Sequence, residues 1–414
     1  MKTKLTLLLI SISQMLPCIS RIQAAETLSL IPDSAQSLAE AGGRFANLDD
    51  ATAVRVNPAN FADAERPLLQ FNTGLWHADI QFSSNAGGRL EEQKPWVIPA
   101  NLYAIFPIIP GRLSWGVGVT TPYGLGTTYS QKSPPFLRYT VPYESSLQTV
   151  SITPAISWRI NDSISAGIGL DVMYGRLQIN QLVPLPGPSE GEFRFDGDGW
   201  GLSGYGGITW NITPNQRLAL VGRLPLRLEM NGSFEAQGVP AGLPAGSANR
   251  SSFETDMTFP GSIALGYGID LTDRLTLGFD FKWSANSSHD DIPLNTSNSN
   301  NLLPTRSQPL QWKNSIDLGF GTSYKLNEAW KIRGGYLFSE NSMPDSTYTP
   351  SIPAYDRHIF SLGIGWLGKS NRVDLTYGYI FNPTRTTTHA NNPAFNGRYK
   401  QQWHVVMLSV GHYF

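Results

Sequence analysis

From Pro67 to the terminal Phe414 the chain repeats one rhythm: amphipathic stretches joined by very short polar turns and long polar loops in alternation. The short connections are Ile109-Pro110-Gly111-Arg112, Ile160-Asn161-Asp162, Asn211 to Gln216, Asp270 to Arg274, Leu326-Asn327-Glu328 and Gly368 to Arg372. The long ones run over 84–99, 122–143, 184–192, 235–252, 285–306, 340–355 and 382–398. Within the stretches, apolar residues recur at every second position. Ile164, Ala166, Ile168, Leu170, Val172 and Tyr174 share one face, opposite Ser163, Ser165, Gly167, Gly169 and Asp171. Leu275, Leu277, Phe279, Phe281 and Trp283 oppose Arg274, Thr276, Gly278, Asp280 and Lys282. The stretches near 315–324 and 358–366 repeat this pattern. Period two is the signature of strands with unlike faces. Tight turns on one edge and long loops on the other predict a transmembrane antiparallel β-barrel, all-β, of about fourteen strands.

One alternating strand is equally compatible with a half-buried sheet in water, but two details favour lipid. The polar faces carry glycines and isolated charges, as a lumen does, and Trp and Tyr gather toward the ends of the apolar faces, as in interfacial girdles. No stretch after residue 26 is a long enough apolar run to span as a helix. A closed barrel satisfies every backbone polar group inside lipid, which an open sheet does not.

Composition agrees. Only 15% of residues are charged while 11% are aromatic, with 40 glycines, a balance poor in charge and rich in aromatics for a soluble chain. A net charge of −1 gives no electrostatic basis for nucleic acid. Lys2 and Lys4, the apolar run Leu5 to Ile12 and the pair Ala24-Ala25 read as an export signal over residues 1–25. The single cysteine, Cys18, lies inside it, so the mature chain is expected to be free of disulfides and thiolate metal sites.

Residues 26–66 do not alternate and are rich in Ala, Gly, Asp and Asn. They read either as a mobile polar tail or as short helices folded back into the lumen, ahead of a barrel over 67–414. Asn57-Pro58-Ala59 followed by Arg66-Pro67, Pro122-Tyr123-Gly124-Leu125 with Tyr129, Trp312-Lys313-Asn314, and Met343-Pro344-Asp345 followed by Ile352-Pro353-Ala354-Tyr355-Asp356-Arg357 stand in this order along the chain. In that order the set resembles the FadL/TodX family of outer-membrane transporters for long-chain fatty acids and other hydrophobic compounds. The resemblance implies a fourteen-stranded barrel plugged by an N-terminal hatch holding Asn57, Pro58 and Ala59. It further implies a ligand that enters an apolar pocket from the outside and leaves sideways beside a kinked third strand. Gly116, Gly118, Pro122, Tyr123 and Gly124 mark where that strand could bend or lose pairing; glycine there could equally serve only to face the lumen. Lateral exit suits an apolar cargo, since each CH₂ forced into water costs about 0.8 kcal/mol.

The family's carboxylate-binding basic positions fall on neutral Gln181 and Gln308, which argues for an uncharged ligand or a relocated head-group site using Arg176, Arg306 or Lys313. Phe136, Leu137, Tyr139, Leu185, Leu243, Leu302 and Leu303 are apolar loop residues that could capture ligand or simply pack the loops. The loop at 184–192 is shorter than the family's helical loop. No cofactor is expected, the six histidines show no metal spacing, and no nucleophile elbow is present. Asp196-Gly197-Asp198 and His289-Asp290-Asp291 read as solvated loop or rim acids, and Gly204 to Gly207 as part of a strand. Expected partners are a hydrophobic small molecule or fatty acid, outer-membrane lipid, and the barrel-assembly machinery through Phe414. A loop-mediated binding protein or a polar-solute porin is the alternative.

Overall fold

The computed structural model describes residues 33–185, 189–240, 248–288, 291–297 and 307–414. Fourteen antiparallel strands close on themselves. β1 (Leu68–Ser84) pairs with β2 (Ala100–Ile109), and β2 with β3 (Leu113–Thr120, resuming as Gly124–Thr128). Next come β4 (Glu144–Arg159), β5 (Ile164–Pro184) and β6 (Glu190–Thr213). β7 (Gln216–Arg223 and Leu226–Gln237) and β8 (Arg250–Phe259 and Ser262–Asp270) are each interrupted once. The circuit continues through β9 (Leu275–Ser284), β10 (Ser315–Lys325), β11 (Trp330–Ser339), β12 (Arg357–Leu367) and β13 (Asn371–Phe381). β14 (Gly397–Tyr413) then pairs with all 17 residues of β1, from Leu68 opposite Tyr413 to Ser84 opposite Gly397. Closure leaves no sheet edge, so backbone groups need no water.

The expected asymmetry of connections is present, with tight turns at 110–112, 160–163, 214–215, 271–274, 326–329 and 368–370. Six of the seven expected long loops are partly strand among the described residues, with short pieces at Arg89–Glu91, Trp96–Val97, Asp291–Pro293, Asn295–Thr296 and Arg385–Thr387 and longer ones in three. The stretch 122–143 contains the outer piece of β3 and a helical turn, Pro135–Arg138. β5 and β6 run on until only 185–189 separates them, and β7 and β8 likewise extend into 235–252. These outer extensions are held because their inward side chains pack together.

Outward-facing side chains form the apolar belt. Phe71, Leu75, Ile168, Leu170, Trp210, Leu265, Phe279, Phe360, Leu362, Leu375, Val406 and Val410 are all exposed, a continuous apolar surface unsuited to water. Hydrocarbon is the solvent that fits it. Aromatic contacts mark its outer limit: Tyr174 lies 5.2 Å from Trp200, and His77 packs edge-on against Trp96 at 4.6 Å. Among the described residues, no helix is long and apolar enough to cross a membrane.

Candidate functional site

The N-terminal segment is folded inside the barrel. α1 (Ala35–Glu40) is capped by Ser34, whose hydroxyl accepts from the Ser37 amide at 3.1 Å. α2 (Arg44–Asn47), α3 (Ala53–Val56) and a 3₁₀ turn (Pro58–Phe61) follow. Helices this short do not persist alone; the wall holds them. Ala35, Leu38 and Ala41 pack on Trp76, Ile359, Trp403 and Met407, while Val54 and Phe61 pack on Tyr103, Ile105 and Tyr205. Phe45 and Ala46 pack on Ala219, Val221 and Ala264.

Small residues on both sides make this approach possible. Gly43 has φ +81, where a side chain is strained, and a Cβ there would come within 2.6 Å of the Gly278 Cα. Asn57-Pro58-Ala59 sits against two wall glycines: a Cβ on Gly207 would overlap the Asn57 side chain, and one on Gly167 would overlap Pro58. The Asn57 amide nitrogen donates to the Phe45 carbonyl at 2.7 Å and to Thr209 Oγ1 at 2.9 Å, while its oxygen accepts from the Ala59 amide at 3.0 Å. The motif thus joins hatch to hatch and hatch to β6.

Charges complete the seal. Arg333 lies between Glu40 at 3.2 Å and Asp374 at 2.6 Å. Arg372 donates to Gln36 Oε1 at 2.6 Å and to the Asp49 carbonyl at 3.0 Å. Arg44 meets Asp280 through its backbone amide at 2.9 Å. Arg55 pairs with Asp33 at 3.1 Å, and Arg223 pairs with Asp171 at 2.7 Å while donating to the Arg55 carbonyl at 2.9 Å. Burial pushes the hatch carboxyl of Glu40 up to about 7, opposed in part by Arg333.

Above this polar layer the lumen changes character. Along β5 and β6 odd-numbered residues face inward throughout. In the membrane-level half the inward residues are Gly167, Asp171, Ser203, Gly207 and Thr209, and the outward ones are apolar. Beyond Tyr174 and Trp200 the chemistry reverses: Leu177, Phe193 and Phe195 point in, and Arg176, Arg194 and Asp198 point out. The inward apolar set continues through Leu228, Met230, Phe234, Phe253, Met257 and Phe259, with Tyr129, Leu137, Trp312, Tyr348, Tyr355 and Tyr399 from loops and neighbouring strands. The result is one aromatic-rich apolar compartment in the outer lumen, floored by the hatch layer.

β3 breaks beside this compartment. The ladder with β4 stops at Thr120 opposite Ser151 and resumes at Gly124 opposite Gln148. Thr121, Pro122 and Tyr123 therefore face only Val150 and Thr149, an extra residue that bends the strand. Side chains replace the lost ladder bonds: the Tyr123 amide donates to Thr149 Oγ1 at 3.1 Å, and the Thr121 amide to Asn101 Oδ1 at 3.1 Å. The outer piece leans into the lumen, where Thr127 donates to the Ser351 carbonyl at 3.3 Å and Tyr129 to that of Pro350 at 2.6 Å. Gly116 and Gly118 lie in the regularly paired inner piece, opposite Ala155 and Thr153; Gly116 faces Val54 of the hatch and Gly118 faces Tyr103.

The loop candidates are dispersed. Leu137 is buried in the apolar compartment and Leu185 packs against it, whereas Phe136 is exposed. Tyr139 bonds Glu190, and its carbonyl accepts from the Gln181 side chain at 2.7 Å. Arg176 points out of the barrel and pairs with Asp196 at 2.6 Å, and Lys313 is exposed. Gln308 stands in a two-stranded ribbon, Asp291–Pro293 with Ser307–Pro309, apart from the barrel sheet. Leu243, Leu302, Leu303, Arg306, His289 and Asp290 lie outside the described residues. Among the described residues no cluster of His, Cys, Asp and Glu could hold a metal. The apolar lining from Phe193 to Phe259 is absent from the sequence-based candidates, although the switch in apolar parity at Trp200 is readable in the chain.

Known proteins share this organisation. The family described as outer membrane protein transport protein (OMPP1/FadL/TodX) matches residues 16–414. A long-chain fatty acid transport protein of Salmonella typhi is 23% identical over 369 residues, covering 82% of this chain and 83% of that protein. Among solved structures, a Pseudomonas aeruginosa FadL homologue superposes with a TM-score of 0.82 at 19% identity, covering 93% of this chain and 99% of that one. The Ralstonia pickettii toluene transporter TbuX gives a TM-score of 0.70 at 17% identity, with 92% and 98% covered.

Proposed function

The chain belongs to the outer membrane protein transport protein (OMPP1/FadL/TodX) family, and on that premise we propose that it passes uncharged apolar compounds from its outer lumen sideways into the membrane through the break in β3. It is an outer-membrane transporter of hydrophobic compounds, of a family whose members are transporters rather than enzymes. The observation that carries the reading is the aromatic compartment closed below by the hatch and bordered by the break in β3. A cargo entering it exchanges water for apolar contacts, and the way down is barred by buried ion pairs. Sideways exit keeps it out of water.

The preference for an uncharged cargo rests on the surrounding cations. Arg223, Lys282 and Arg385 are each already matched by a carboxylate, Asp171, Asp317 and Asp345. A ligand carboxylate would enter the dry compartment with its charge uncompensated by these three, at considerable cost. Long-chain fatty acids are the second reading, favoured by the names of the Salmonella typhi and Escherichia coli relatives. Residues 1–25 act as the export signal in this reading. Phe414, exposed at the end of β14 with its amide on the Pro67 carbonyl at 3.0 Å, is the contact for assembly machinery.

Deleting Pro122 tests the route. It leaves two residues opposite Val150 and Thr149, so the ladder can close. Uptake of toluene by cells carrying the full-length variant is then expected to fall to the level of cells without the protein, with the barrel still folded by its heat-modifiable gel mobility. Undiminished uptake through a folded, deleted barrel overturns lateral release.

A further inference from the structure

We propose that Tyr123 and Phe259 form an aromatic constriction across the lumen that sets the width of compound able to reach the break in β3; this rests on the transport reading above. The two rings stack with centroids 4.1 Å apart and planes 22° from parallel, and both are buried. Their strands, β3 and β8, are five places apart around a barrel of fourteen, so the contact crosses the interior instead of following the wall.

Each ring is aimed inward by a defect in its own strand. Tyr123 belongs to the β3 break and is fixed there by its backbone, with its amide on Thr149 and its carbonyl accepting from the Thr149 hydroxyl at 2.5 Å. Phe259 precedes the interruption of β8 at Pro260 and Gly261, which lies alongside the interruption of β7 at Leu224 and Pro225. The ladder between β7 and β8 runs through Arg223 opposite Ser262 on one side and Leu226 opposite Phe259 on the other. Against β6, Arg223 faces Tyr205 and Leu228 faces Gly201, so four residues of β7 oppose three of β6. Such a bulge bends the wall and re-aims side chains. It is built in: Ser203 donates to the Leu224 carbonyl at 2.8 Å, and the Leu224 amide donates to Gly204 at 2.9 Å.

The stack also lies where the two layers of the lumen meet. Leu226, Leu228 and Met257 extend the apolar compartment on one side. On the other, Arg223 lies 4.4 Å over the Tyr205 ring and pairs with Asp171. An offset stack is held by dispersion and ring electrostatics. A flat apolar guest can therefore replace the Phe259 ring against Tyr123 without stranding a polar group. A wider guest has to push the wall.

The test measures uptake of toluene and of pyrene by cells expressing the full-length protein, as wild type and as F259A, F259L and F259W. Removing the far ring leaves the β3 backbone alone. F259A is expected to raise the pyrene-to-toluene ratio about fivefold, equivalent to about 1 kcal/mol of lost stacking. F259L, which keeps most of the buried volume, shifts it the same way by less, and F259W lowers it. A ratio unchanged in the folded variants overturns the constriction. Wild-type protein that carries neither compound overturns the transport reading itself.

Discussion

The inner and outer halves of the lumen are built by the same strands and filled by opposite chemistry. In the inner half, Gly167, Gly207, Gly278 and Arg333 face in and meet hatch atoms and hatch charge, and Asp171 faces in to hold Arg223. In the outer half, Leu177, Phe193, Phe195, Leu228 and Phe253 face in and meet each other. What differs is the solvent on the far side of the wall. Where hydrocarbon wets the outside, apolar side chains go outward and the interior is left to polar groups satisfied by the hatch. Where the strands rise beyond the girdle at Tyr174 and Trp200, charged residues take the outside and the interior becomes the dry side.

The comparison can be broken from either half. The largest effect is expected from Arg333→Met, which leaves Glu40 and Asp374 buried without the cation between them. Removing one partner of such a pair costs about 3–5 kcal/mol. The hatch is expected to leave its seat, read as protease cleavage within 33–66 of a barrel that stays folded. Leu228→Asp attacks the other half, placing a carboxyl among the inward apolar residues. Toluene uptake is expected to drop about tenfold, about 1.4 kcal/mol of lost favourable environment, while the hatch stays as protected as in wild type. A loss of hatch protection in that variant would show the halves to be coupled.

The smallest effect is one of pH. The Glu40 carboxyl is raised from 4.5 to about 7 by burial, so the docked hatch binds a proton that the released hatch gives up. Its contribution to docking is full below about 4.5 and fades as pH rises through about 7. Protection of the α1 amides, taken as exchange relative to the base-catalysed rate of the free chain, is expected to fall over that interval in the wild type and to stay flat in Glu40→Gln. An equal response in both would remove Glu40 as the cause.

The barrel was legible because hydrocarbon imposes a strict rule on every second residue, and because the turn at Ile160-Asn161-Asp162 and its counterparts punctuate it. The resumption of β3 at Gly124 was not legible, since Pro122 and Gly124 read as loop and only the side chains of Thr149 and Asn101 show how the break is held. The outer compartment was hidden for another reason. Glu190 to Asp198 begins inside the expected loop 184–192 and ends in acids that read as loop or rim, yet its alternate residues Phe193 and Phe195 obey the same period with the faces exchanged. The hatch needed the wall to become visible: Asn57-Pro58-Ala59 has no amphipathic pattern because Gly167 and Gly207 surround it with backbone.

That exchange of faces along β5 and β6 has a consequence for what the cell can catch. Trp200 and Tyr174 mark the level at which the dry side of the wall turns from outside to inside, and the bend of β3 lies at that level, facing Val150, the partner of Tyr174. On the proposed sideways route, a molecule dissolving into the mouth would be shielded before it reaches the bilayer and shielded again after it enters, so the steep part of its journey would be the first collision with the protein. Scarcity outside, rather than the crossing itself, would then govern how fast such cargo accumulates.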